Sequence, residues 1–261
     1  MPFAPSIAIL SLVQAGLIAV PAATLRVPVS VQGRWWAVVL PGSVIVVIAG
    51  IAVVPSLADG LTYLALVGVP PLAAVALAQV VGGARAGPAA AVVPLFVLAC
   101  GPLGSLVAEA SALTLSALAC LALGALLVPA VPRAWLRLGI YAMAAVDTVL
   151  VGADLLQGPN DVLNAAAPAA GLPQLQFAQL GSAVIGFGDL FIAAVLGTML
   201  ITERSLQLRA AGIAAAVALA FDLLFLVVDE LPATVPVALT LALLELAERR
   251  VAPAYPSPQT R

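Results

Sequence analysis

Apolar residues run along this chain in long blocks, broken by short polar interruptions. Neither the alternation of a half-buried strand nor the single stripe of a surface helix dominates. Hydropathy windows of about 19 residues predict nine apolar helices, over 4–22, 36–54, 60–81, 88–107, 112–131, 134–156, 177–201, 209–228 and 231–247. The fourth and fifth are divided only by the AEASA stretch around Glu109, and the ninth is short and opens on Pro232 and Pro236. The first ends at VPAA but lacks the basic start of a signal peptide, so it reads as a span. Crossing a hydrocarbon core about 30 Å thick takes about 20 apolar residues. The pattern predicts an all-α polytopic membrane protein with about nine transmembrane helices.

Composition narrows the function classes. Of 261 residues, 64% are hydrophobic and 8% charged, against about 25% charged in a soluble domain. That excludes a soluble enzyme, a disordered chain and a nucleic-acid binder, since ten scattered arginines form no basic stripe. Nine spans use roughly 180 residues, which leaves no room for a sizeable extramembrane domain. Histidine is absent, and Cys100 and Cys120 lie in separate apolar runs without CxxC spacing. Both cysteines read as small buried hydrophobes, and no metal site or cofactor is expected.

The charges also orient the spans. Arg26, Arg34, Arg85, Arg133, Arg137, Arg204, Arg209, Arg249, Arg250 and Arg261 all fall on one side, in odd-numbered connections, at the adjoining starts of spans six and eight, or in the C-terminal tail. Asp59, Glu109, Asp161, Asp229 and Glu230 occupy the even-numbered ones. The positive-inside rule then puts the N-terminus outside and the C-terminus in the cytoplasm of a multi-pass plasma-membrane protein.

Four acids fall in mid-span, away from the basic ends of the blocks: Asp147, Asp154, Asp189 and Asp222. A charge at mid-bilayer costs at least about 2.5–3.5 kcal/mol, so each is a candidate functional residue. Asp147 and Asp189 lie on antiparallel spans, about 20 Å and about 18 Å from opposite faces at 1.5 Å per residue. Asp154, seven residues past Asp147, is expected two turns along the same face, and Asp222 near the outer end of span eight. Two carboxylates meeting in a low-dielectric site do not both ionise easily, which makes one a general acid and the other a general base. The same acids also suit helix–helix hydrogen bonding or a proton path.

Asp189 closes the sequence Gly186-Phe187-Gly188-Asp189, extended as IGFGDLFIAAVLG. In mid-membrane this resembles the GxGD motif of the intramembrane aspartyl proteases, the presenilin and signal peptide peptidase family, where it lies in the seventh span. The family's partner aspartate is in the sixth span, matching Asp147 in GIYAMAAVDTVLV, although Val146 stands where Tyr is usual and Tyr141 is six positions earlier. Gly158-Pro159 and DVLNAAA are similar to the segment after the sixth span in presenilins. Leu231-Pro232-Ala233-Thr234 stands in place of the Pro-Ala-Leu motif that opens the ninth, with Thr234 replacing Leu. The resemblance covers roughly 134–247.

The resemblance implies a prokaryotic homologue with a presenilin-like fold. Residues 1–131 would be a five-helix scaffold, 132–251 the catalytic four-helix region and 252–261 a cytoplasmic tail. It implies Asp147 and Asp189 as the catalytic dyad hydrolysing peptide bonds within transmembrane segments. Gly186, Phe187, Gly188, Pro232, Ala233 and Thr234 would bind substrate, with Phe187 shaping preference or simply packing. The expected partners are transmembrane peptides and membrane lipid. Span six running outward from the cytoplasm matches signal peptide peptidases, so substrates would be signal-peptide or type II anchor-like helices. The segment 157–176 reads as a linker or a substrate gate. A proton-coupled transporter, a catalytically silent relative and a prepilin-peptidase-like protease are the alternatives.

Overall fold

The computed structural model describes residues 1–81, 87–102 and 104–251, with side chains through Arg249. Arg85, Arg261, the Arg250 side chain and the expected tail 252–261 lie outside the described residues. The helices are α1 (Phe3–Ala19), α2 (Val39–Val53), α3 (Leu57–Val75), α4 (Val92–Ala99), α5 (Leu106–Ala130), α6 (Arg133–Gly152), α7 (Gln157–Ala165), α8 (Phe187–Met199), α9 (Arg204–Asp222) and α10 (Val235–Val251). Strands β1 (Phe177–Leu180) and β2 (Ala183–Gly186) form an antiparallel hairpin between α7 and α8.

Among the described residues, five helical stretches are long and apolar enough to cross a membrane: Arg34–Val53, Leu57–Val80, Leu106–Ala130, Arg133–Gly152 and Arg204–Leu226. Phe3–Ala19, Gly87–Ala99 and Phe187–Met199 are apolar but shorter. Length and composition thus support a mostly helical membrane protein. In α3, Pro70 and Pro71 remove two backbone donors, and the helix widens into a π-turn over Ala76–Val80.

The innermost elements are α5 and α8. Every residue of α8 from Leu190 to Met199 is buried, while Val46, Val53, Leu64, Val67 and Val93 point apolar surface outward. Small residues allow this packing. A Cβ on Gly197 would lie 2.6 Å from Ile18 Cα and 2.7 Å from the Leu17 carbonyl oxygen, so α1 and α8 touch backbone to backbone. One core cluster runs from α1 and α5 into α8 and α10.

The bundle has two chemically distinct ends. At one, the Arg204 guanidinium donates to the Ala19 carbonyl, Arg133 to Thr202 Oγ1 at 3.5 Å, and Arg34 lies 5.9 Å from the Trp135 ring centre. At the other, the Gly181 amide donates to Glu109 Oε2 at 2.6 Å and Ser182 Oγ to the Met1 carbonyl at 3.2 Å.

Several expectations change. The all-α reading misses the hairpin that replaces the first half of the expected helix 177–201. A hydropathy window does not separate a buried hairpin from a helix, and Gly181 at φ 60° makes the turn. The expected helix 134–156 stops at Gly152. Asp154 takes φ 55°, its N–H bonds the Val151 carbonyl, and the Leu155 N–H bonds Leu150. This is a Schellman end, so Asp154 is exposed past the helix and not two turns along it. The apolar block 88–107 yields a short helix over Gly87–Ala99, and its last two residues, Leu106 and Val107, already belong to α5. Glu109 belongs to the first turn of α5, where a negative charge complements the helix dipole. The linker 157–176 contains α7. Cys120 is buried but Cys100 only half-buried.

Candidate active site

Asp189 owes its position to a strand-to-helix junction. Gly186 ends β2 in extended backbone (φ −67°, ψ 149°) and caps α8, and Asp189 is the third residue of that helix. An acid there reaches back to the capping amide, and Asp189 Oδ2 accepts the Gly186 N–H at 3.1 Å. A Cβ on Gly186 would lie 2.9 Å from the same oxygen, so the first glycine of the motif makes room for this return. Asp189 is therefore in the first turn of α8, not twelve residues into a helix.

Asp147, on α6, meets the segment that opens α10. Its Oδ2 accepts the Thr234 hydroxyl at 2.7 Å and the Thr234 N–H at 3.3 Å. Thr234 is fully buried, so its hydroxyl is committed to Asp147. Among the residues expected to bind substrate, Gly186, Phe187, Gly188 and Ala233 line a cavity of about 800 Å³. Pro232 and Thr234, both buried in the 229–236 strap that leads into α10, are not among its lining residues.

Asp147 and Asp189 line this one cavity. Apolar side chains from α2 and α3 form much of its wall, including Val44, Val47, Leu61 and Leu64. Asp222 also lines it, held by the Ser11 hydroxyl at 2.9 Å. Towards the end carrying Glu109, the lining includes Asp161, Asp229 and Glu230. Burial, then the charges of Asp154, Asp161 and Asp229, push Glu230 above its ordinary carboxylate range. Tyr141 faces away from the dyad and donates its hydroxyl to Glu245 at 3.2 Å. Among the described residues no group of three or more Cys, Asp and Glu side chains is placed to hold a metal ion.

The hairpin leaves one edge open into the cavity. Its two-residue turn makes Leu180 and Ala183 a hydrogen-bonded pair, and alternation makes Ala178 and Ile185 the next. The N–H and C=O groups of Val184 and Gly186 therefore point away from β1, and both residues line the cavity.

Sequence reasoning missed Gln14. This buried α1 side chain donates its amide nitrogen to the Asp189 carbonyl at 3.1 Å and the Ala233 carbonyl at 2.9 Å. Its one signal is an amide inside the apolar run LSLVQAGLIAV.

The chain matches no protein-family model, no curated protein and no solved structure.

Proposed function

We propose that this chain is an intramembrane aspartyl endopeptidase of the GxGD type, with Asp147 and Asp189 activating water against a peptide bond in another protein's transmembrane segment. The observation that carries the reading is the convergence of three separate segments on one cavity. Asp147 of α6 is hydrogen-bonded by the strap before α10, Asp189 of α8 lines the same cavity, and the free edge of β2 leads to Asp189.

The chemistry follows from these groups. The ionised carboxylate takes a proton from water as its oxygen attacks the carbonyl carbon, and the protonated carboxyl passes its proton to the carbonyl oxygen. Collapse of the gem-diol breaks the C–N bond, the nitrogen taking the first proton and the second returning to its carboxyl. A helical substrate first has to unwind, because its amides are internally bonded in lipid. The outward N–H and C=O groups of Val184, with the Gly186 carbonyl, can pair with an extended substrate strand and replace some of the bonds lost.

Nine spans, with the N-terminus outside and the C-terminus in the cytoplasm of a prokaryotic plasma membrane, accord with this reading. At the arginine end Arg204 reaches the Ala19 carbonyl and Arg133 reaches Thr202, and at the other end the Gly181 amide reaches Glu109, so the arginines of two odd-numbered connections sit at the end opposite Glu109. In that orientation substrates enter with a cytoplasmic N-terminus, as signal peptides and type II anchors do.

The test is cleavage of a labelled transmembrane peptide by the full chain in lipid nanodiscs. Wild type should cleave, Asp147→Ala and Asp189→Ala should not, and an aspartyl-protease transition-state analogue should block the reaction. Cleavage surviving either substitution sinks the dyad.

A further inference from the structure

We propose that Gln14 is a positioning residue of this site, coupling the Asp189 helix to the strap that holds Asp147. The inference rests on the dyad reading above.

Gln14 lies on α1, far in sequence from both groups it touches. Its amide nitrogen carries two donors, one to the Asp189 carbonyl at 3.1 Å and one to the Ala233 carbonyl at 2.9 Å. The next residue of the strap, Thr234, spends its hydroxyl and its N–H on Asp147 Oδ2. The chain of contacts therefore runs from the Asp189 backbone through Gln14 to Ala233, and from Thr234 to the Asp147 carboxylate. It joins the two halves of the dyad by a route other than α6 or α8 themselves.

The anchorage of Gln14 is rigid. Three and four residues past it, α1 passes against α8, where Gly197 admits the Leu17 and Ile18 backbone. A Gln that merely satisfied itself in lipid would need one acceptor on its own helix; this one reaches acceptors on two other segments. Displacing a catalytic group by about 1 Å costs on the order of 100-fold in rate, so loss of this coupling should fall on turnover more than on binding.

The experiment uses the full chain in nanodiscs, with active sites counted by titration with the transition-state analogue. Gln14→Met keeps length and removes both donors. It should lower kcat per titrated site by about 10- to 100-fold while KM stays within about threefold. Hydrogen exchange of the 229–236 strap should rise about tenfold, the effect of losing roughly 1.4 kcal/mol. Because Gln14 acts through Thr234, Gln14→Met with Thr234→Val should be no slower than the worse single variant. A kcat loss that disappears on counting active sites shows a folding role and overturns the proposal, as do multiplicative losses in the double variant. Unchanged strap exchange in Gln14→Met overturns it whatever the activity. A wild-type chain that cleaves nothing, or cleavage surviving Asp189→Ala, overturns the protease reading, and strap exchange then decides whether Gln14 holds the strap.

Discussion

Thr234 separates a substrate contact from a group that holds the dyad. Its side chain is fully buried, and its hydroxyl lies 2.7 Å from Asp147 Oδ2. Thr234→Val removes that donor, keeps the shape of the side chain and leaves the backbone N–H in place. A hydrogen bond to a charged group is worth about 1.5–3 kcal/mol, which at 1.36 kcal/mol per decade is roughly 10- to 150-fold in rate. The loss should appear in the single-turnover cleavage rate per titrated site, with KM nearly unchanged, because Ala233 and not Thr234 faces the cavity. Thr234→Ser keeps the hydroxyl and should stay within about threefold of wild type, less than one hydrogen bond. A valine variant cleaving at the wild-type rate, or a serine variant falling as far as valine, would refute the role. A rise in KM at constant kcat would instead make Thr234 a substrate-binding residue.

Other consequences concern packing, the open edge and pH. Gly197→Ala forces a Cβ against Ile18 and Leu17 backbone and should destabilise the fold by about 1–3 kcal/mol. Gly212→Ala, with nothing within 4 Å of its Cβ, should stabilise by about 0.5–1 kcal/mol; melting in detergent checks the pair, and equal shifts would contradict the close α1–α8 contact. Val184→Pro removes an outward N–H without touching the β1–β2 ladder and should lower kcat/KM about tenfold, the value of one hydrogen bond, with unchanged melting. Glu230 is held above its ordinary range in the folded chain, so folding favours its protonated form. Its ionisation costs stability that is absent below about pH 4 and grows as pH rises through the folded value. Glu230→Gln should therefore match wild type in urea unfolding at about pH 4 and exceed it at about pH 7; equal stability at both would refute the sign.

Which parts of this molecule were legible depended on the range of the forces that set them. Apolar blocks such as 112–131 and 209–228 carry their environment in composition, so α5 and α9 stand near where hydropathy puts them. The hairpin at 177–186 is equally apolar, and only the φ of Gly181 and the tie from Glu109 distinguish it, neither visible in a window average. Asp154 read as a second buried acid because nothing in its neighbourhood announces a left-handed helix end; Gly152, two residues earlier, was the nearest hint. Gln14 was silent for a different reason. Its acceptors are 175 and 219 residues away, and a lone amide in an apolar helix says only that a partner exists.

The motif around Asp189 gains a physical meaning that its spelling alone does not carry. Read as part of a helix, Gly186 and Gly188 weaken a span to let something approach. In the fold, Gly186 is the cap and Asp189 the third helical residue, so the spacing of three is the distance at which a side chain folds back on the capping amide. The same geometry ends β2 at Gly186 with its carbonyl facing outward, so one glycine finishes the strand edge and starts the helix bearing the acid. An inserted residue between Gly186 and Asp189 would turn the carboxylate about 100° around α8, at 3.6 residues per turn, and break its bond to the cap. The strand edge would survive while the acid left the cavity. Such an insertion variant should still bind a transmembrane peptide by fluorescence anisotropy yet cleave none, and retained cleavage would show that the three-residue spacing does not set the position of Asp189.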